Sequence, residues 1–67
     1  MGEEKIVDKL CGKYGIYIIK KYTDYGIIFS DEYYKIYKDG EMWKTASSAE
    51  YAYKIIKDYD SAVKSCC

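Results

Sequence analysis

The stretch Tyr33-Tyr34-Lys35-Ile36-Tyr37-Lys38-Asp39-Gly40-Glu41-Met42-Trp43-Lys44 decides how this chain folds. Two runs rich in aromatic and β-branched residues flank Asp39-Gly40, a dipeptide suited to the positive φ angles of a two-residue type I′ turn. Such a turn fixes a register in which Lys38 faces Glu41, Tyr37 faces Met42 and Ile36 faces Trp43. Strand side chains alternate, so Tyr34, Ile36 and Trp43 share one side, the expected core. Tyr33, Lys35, Tyr37, Met42 and Lys44 share the other.

The residues that follow, Ser47-Ser48-Ala49-Glu50, have the form of a capping box: Ser47 is the expected N-cap and Glu50 reaches back to its N–H. Ala49, Ala52, Ile56, Tyr59 and Val63 then recur at helical spacing, flanked by Tyr53 and Ile55, with Glu50, Lys54, Lys57, Asp58 and Ser61 outside the stripe. An amphipathic helix is predicted, laid on Ile36 and Trp43. Tyr51 points to the polar side.

Toward the N-terminus, the β-branched density of residues 15–22 predicts a strand, apolar on both faces at its middle. Residues 23–26 read as a turn and residues 26–30, with Ile27, Ile28 and Phe29, as a second, shorter strand. Residues 3–11 place Ile6, Val7, Leu10 and Cys11 at helical spacing, with acids in the first turn and Gly12 where a C-cap belongs. The expected fold class is therefore α+β: a short N-terminal helix, a three- to four-stranded antiparallel meander sheet and a C-terminal amphipathic helix packed on the sheet. Residues 1–67 are expected to form one compact domain, with residues 60–67 frayed.

A chain of 67 residues is near the lower limit for a fold without disulfides or metal. Its aliphatic shortage is made up by 10 tyrosines, whose rings supply apolar area. Positive and negative side chains balance to a net charge of +0, and every cation is a lysine. Without arginine, the bidentate reader of guanine edges, sequence-specific DNA binding loses its usual tool. The absence of His, Pro, Asn and Gln beside abundant Ile, Lys and Tyr fits an AT-rich genome and a hot-living source.

Cys11, Cys66 and Cys67 are an odd number with no metal-ligand spacing, so neither a zinc site nor a disulfide framework is read from them, and a reduced, cytoplasmic location is expected. Cys66-Cys67 is expected to be an unmodified tail. The opening Met1-Gly2-Glu3-Glu4-Lys5-Ile6 carries no myristoylation signal, and the longest uncharged run, residues 14–19, is far too short to span a bilayer, so no membrane association is expected.

The junction Trp43-Lys44-Thr45-Ala46-Ser47-Ser48-Ala49-Glu50, entered from an Asp-Gly hairpin, resembles the strand-to-helix junction of the βββα arm-binding and AP2-type DNA-binding modules of phage integrases. The resemblance covers the last half of the chain. It implies a sheet that reads DNA with basic residues; here that surface has only Lys35 and Lys44, among tyrosines.

Histidine is absent, and with it the usual general base at neutral pH and the usual partner of a Ser or Cys nucleophile. No catalytic residue, metal site or cofactor is expected. Tyrosine buries area at low entropic expense and keeps a hydroxyl for hydrogen bonding, so exposed Tyr25, Tyr33, Tyr37 and Tyr51, with Lys35 and Lys44, are the candidate partner-binding residues. The expected function is a small non-catalytic protein-binding domain, an accessory protein of a virus or mobile element that modulates a larger host protein complex such as a defence system; a homodimer is a further expectation. The alternative is a weak nucleic-acid-binding module in which Tyr33 and Tyr37 stack on bases while Lys35 and Lys44 meet phosphates.

Overall fold

In the computed structural model, which describes residues 2–26 and 28–66, five strands and one helix follow in the order β1 (Gly2–Cys11), β2 (Ile16–Tyr25), β3 (Ser30–Lys38), β4 (Glu41–Ala46), α1 (Ala49–Tyr59) and β5 (Lys64–Ser65). The sheet is antiparallel throughout, with spatial order β4-β3-β2-β1-β5. The first four strands form a meander. Helix α1 then carries the chain across one face of the sheet, so that β5 closes on the far edge beside β1.

The expected fold class is corrected at its N-terminal end: residues 3–11 are strand, not helix, and the sheet has five strands among the described residues. The apolar spacing of Ile6, Val7, Leu10 and Cys11 serves a strand equally well once Val7 is accommodated as an extra residue, where the β1–β2 register shifts between Ile6 and Asp8. An isolated helix of this length is marginal. As a strand the segment pairs its backbone along β2, which then has a hydrogen-bonding neighbour on each edge. Gly12, expected as a helix cap, instead opens the β1–β2 turn, donating its N–H to the Gly15 carbonyl at 2.9 Å.

Strand β2 runs on through residues 23–25, where a turn was expected. The chain reverses at residues 26–29, with the Gly26 N–H bonded to the Phe29 carbonyl at 2.9 Å. Ile28 and Phe29 therefore lie in the turn and not in a short strand; the expectations for Ile27 and Cys67 fall outside the described residues.

The Asp39-Gly40 turn forms as its chemistry requires, with φ of 53° and 86°. Lys38 pairs with Glu41 and Tyr37 with Met42. Beyond them the register shifts: Ile36 faces Lys44, and Trp43 is the extra residue of a β-bulge. The bulge lets the Trp43 ring turn to the helix side, 5.7 Å from the Tyr17 ring and 4.9 Å from that of Tyr59, centroid to centroid.

Helix α1 begins one residue later than its sequence signature implies. Ser48, not Ser47, is the N-cap, and its Oγ accepts the Tyr51 N–H at 3.2 Å. Glu50 then falls a residue short of the capping-box position. Ala52 and Ile56 are fully buried against Ile19, Ile36, Tyr17 and Leu10, with Tyr34, Trp43, Tyr53, Ile55 and Val63 packed around them. The small Ala52 permits the close approach of helix to sheet.

The segment after α1 returns to the sheet. Ser65 pairs with Leu10 and Lys64 with Cys11, and a disulfide joins Cys11 to Cys66 across a Cα–Cα distance of 5.2 Å. The cysteine reading is thus corrected: two of the three are brought together by β5, a strand of two residues with no signal of its own in the sequence. A cross-link between positions 55 apart removes much of the unfolded chain's freedom.

Two substitutions separate these contributions. Cys66→Ser should lower the unfolding free energy by about 4 kcal/mol on the loop-closure scale, and Ile56→Ala by ~2–5 kcal/mol. Tyr51→Ala, on the exposed side of α1, should stay within ~0.5 kcal/mol. Urea titrations of the three variants check this; a Cys66→Ser protein as stable as the parent would show that β5 holds without its bond.

Candidate functional site

The open face of the sheet, opposite α1, is built by register. Tyr22 pairs with Tyr33, Lys20 with Lys35 and Ile18 with Tyr37, and all six alternate with the core residues Ile19 and Ile36. Strand β1 adds Glu4, opposite Tyr22. The Tyr22 and Tyr33 rings lie 5.0 Å apart at a tilt of 48°. The Lys35 ammonium sits 4.4 Å from the Tyr22 centroid, and that of Lys20 sits 4.5 Å from the Tyr37 centroid.

Glu4 is the hub of this face. Its Oε1 accepts from Lys35 Nζ at 2.8 Å and from the Tyr37 hydroxyl at 3.4 Å, while Oε2 is 4.0 Å from Lys20 Nζ. The Lys35 hydrogen bond holds the Glu4 carboxyl below its ordinary range, against a smaller opposing effect of desolvation. The same bond raises the Lys35 ammonium. Lys35 therefore stays charged, and both lysines are already engaged by a carboxylate and by rings.

Of the six candidate residues, the structure brings three together: Tyr33, Lys35 and Tyr37 share the open face, each half-buried by its neighbours. The bulge at Trp43 moves Lys44 off it, opposite the core residue Ile36, where its ammonium lies 5.7 Å from the Trp43 ring. Tyr51 is exposed on α1. Tyr25 lies at the far end of β2, its hydroxyl donating to Glu3 at 3.1 Å, a bond that raises its pKa. Glu4, Lys20 and Tyr22 belong to the face and were not among the candidates. The pairing of Tyr22 with Tyr33 follows from a β2–β3 hairpin, but Glu4 becomes visible only when residues 2–11 are known to be a strand.

A second polar cluster lies inside the fold. Asp60, just past α1, is buried, and its Oδ2 accepts from the Tyr14 N–H at 2.9 Å and from the Tyr17 hydroxyl at 3.1 Å. Its Oδ1 accepts from the Ala62 N–H at 3.1 Å. Burial pushes this carboxyl up, but the N–H groups of Tyr14 and Lys13, the Tyr17 hydroxyl and the Ala62 N–H outweigh it and hold the pKa below 3.8. Burial, and then the bond to Asp60, push Tyr17 up to about 12. A Cβ on Gly12 would collide with the Asp60 carboxylate, so glycine is required there. Among the described residues no buried side-chain polar atom lacks a partner, and no cluster of acids and cysteines is arranged for a metal. The Asp60 cluster, fully satisfied, is a structural clamp.

Comparisons with protein families, with curated proteins and with solved structures find no match to this chain. Among the described residues no helix is long and apolar enough to cross a membrane.

The clamp makes stability depend on pH at both ends. Asp60, with its folded pKa depressed, contributes stability that is present above 3.8 and lost as pH falls through the folded value. Tyr17, with its folded pKa raised, contributes stability that is complete below 10.0 and lost as pH climbs toward about 12. The urea midpoint of Asp60→Asn should fall below that of the parent near neutrality, and the gap should close in acid; Tyr17→Phe should close its gap in the alkaline window. Gaps that stay constant across pH would contradict the clamp.

Proposed function

We propose that this chain is a small non-catalytic protein-binding domain whose docking surface is the open sheet face around Tyr22, Tyr33, Lys35 and Tyr37. One observation supports protein over nucleic acid above all: of the three lysines that register places on this face, Lys20 and Lys35 are turned onto Glu4 and onto tyrosine rings, which leaves Lys9, opposite Ile18, as the one outside the network among the described residues. Binding a polyanion would require breaking those pairs and burying the Glu4 carboxylate against phosphate. A protein partner meets instead rings and hydroxyls already held in place, so little conformational freedom is lost on docking.

On this reading the chain acts by occupying a surface of a larger protein complex. The setting we propose, from size and composition, is an accessory protein of a virus or mobile element acting on a host complex in the cytoplasm. Cytosolic disulfides are rare in mesophiles but frequent in hyperthermophiles, so the Cys11–Cys66 bond fits a cytoplasmic protein of a hot-living source.

The test is cross-linked capture from lysate of the source, run with the parent and with Tyr33→Ala/Tyr37→Ala. A specific protein captured by the parent and by Tyr51→Ala, but lost in the double variant while its thermal unfolding stays cooperative, is the expected outcome. Binding of single-stranded nucleic acid at physiological salt, abolished by Lys35→Glu and with a salt slope no steeper than about 2.1 for the face's three lysines, would overturn it.

A further inference from the structure

The end of the β2–β3 hairpin lies beyond the reach of α1. The molecule extends 42 Å along its long axis, whereas the helix spans roughly 16 Å. At that end Ile28 is 82% and Phe29 76% exposed, the highest values among the large apolar side chains described, with Ile6 next at 67%. Residues 2–4 and 22–33, which make up this end, carry Glu3, Glu4, Asp24, Asp31 and Glu32 and no lysine. The rest of the chain therefore holds all 11 lysines and the remaining six of the 11 acids. Glu4 and Glu32 are paired, with Lys35 and with Lys21. Asp24 and Asp31 face each other directly across β2 and β3, an arrangement of like charges that destabilises a sheet, and neither makes an ion pair among the described residues. An apolar tip flanked by such a pair is suited to an apolar groove with lysines at its rim.

The same molecule has that groove. Between α1 and the β1–β5 edge, Leu10, Tyr53 and Val63 line a groove of about 340 Å³, with Lys57 and Lys64 beside them. Its one acid, Asp8, is engaged by the Tyr53 hydroxyl at 2.5 Å, a bond that raises the Tyr53 pKa. Lys57 and Lys64 outnumber it, so the groove carries a net positive charge.

We propose that the occupant of the groove is a second copy of this chain, docked by its hairpin tip. Phe29 and Ile28 of one copy enter between Tyr53 and Val63 of the next, and Asp24 and Asp31 meet Lys57 and Lys64. Tip and groove are different surfaces, so the contact is heterologous and each copy can use both at once: association is head-to-tail and grows with concentration. This contact uses neither Tyr33 nor Tyr37, so it stands apart from the sheet-face reading.

Sedimentation velocity on the full chain tests it, with Cys67→Ser throughout so that interchain disulfides cannot imitate assembly. The average mass should rise from micromolar to millimolar concentration and fall back as salt is added. Phe29→Ser and, separately, Lys57→Glu/Lys64→Glu should each weaken association by about thirtyfold, the scale of a hot-spot side chain, without lowering the melting temperature. An equimolar mixture of these two variants should form a dimer and nothing larger, because one keeps only its groove and the other only its tip. A parent that stays monomeric into the millimolar range, a mixture that stays monomeric, or assembly indifferent to Phe29 would each overturn the proposal. So would a monomeric parent that binds phosphatidylcholine vesicles through Phe29. A monomer that still loses its captured protein in Tyr33→Ala/Tyr37→Ala would refute the self-contact alone.

Discussion

The buried carboxylate of Asp60 is the constraint on which the rest of this architecture depends. A charge taken out of water must be met on every side, and Asp60 is met by groups from the β1–β2 turn, from β2 and from its own following turn. Satisfying it fixes where α1 ends relative to the sheet. It also aims the outgoing chain at β1, which is how Lys64 and Ser65 come to pair with Cys11 and Leu10 and how Cys66 comes within bonding distance of Cys11. The disulfide records a position that the carboxylate has already chosen.

A core this small relies on tyrosine in two ways. Tyr17 is wholly buried, with its hydroxyl satisfied by Asp60 and its ring against Trp43, which in turn meets Tyr59 and, through it, Tyr14. On the opposite face no element among the described residues forms a second layer, and the rings of Tyr22, Tyr33 and Tyr37 are steadied by lysine ammonium groups and by Glu4. Cross-strand contacts of this kind each contribute a few tenths to about 1 kcal/mol. They hold the uncovered sheet face in one arrangement and engage Lys20 and Lys35 within it.

What was legible in the sequence was local. Asp39-Gly40 specifies its own turn, and the spacing of Ala52 and Ile56 specifies a helix with that stripe inward. Tyr33, Lys35 and Tyr37 were correctly placed on one face because alternation within a single strand needs no partner. Lys44 was misplaced because the bulge at Trp43 arises from packing against Tyr17 and Tyr59, groups distant in sequence. The identity of β1 was illegible for the same reason on a larger scale. Its residues suit either a weak helix or a strand, and the choice is made by β2, which offers a complete ladder of hydrogen bonds. Cys11 and Cys66 could be paired only after β5 was seen beside β1.

The distribution of protection along the sheet completes the picture. Open strand edges invite pairing with other chains, yet both edges here are interrupted. Strand β4 is six residues long and bulged at Trp43; β1 is bulged at Val7 and closed at its other end by β5 and the disulfide. Lys5, Asp8 and Lys9 put charge along the remaining exposed stretch of β1. The two faces are likewise accounted for, one by α1 and one by the Glu4 network. Among the described residues the hairpin end has neither a layer above it nor an ion-pair partner for Asp24 and Asp31, and Ile28 and Phe29 stand in water. A fold that guards its edges leaves at this end, where the sheet's own hydrogen bonding is already complete, an apolar and acidic surface separate from the sheet face.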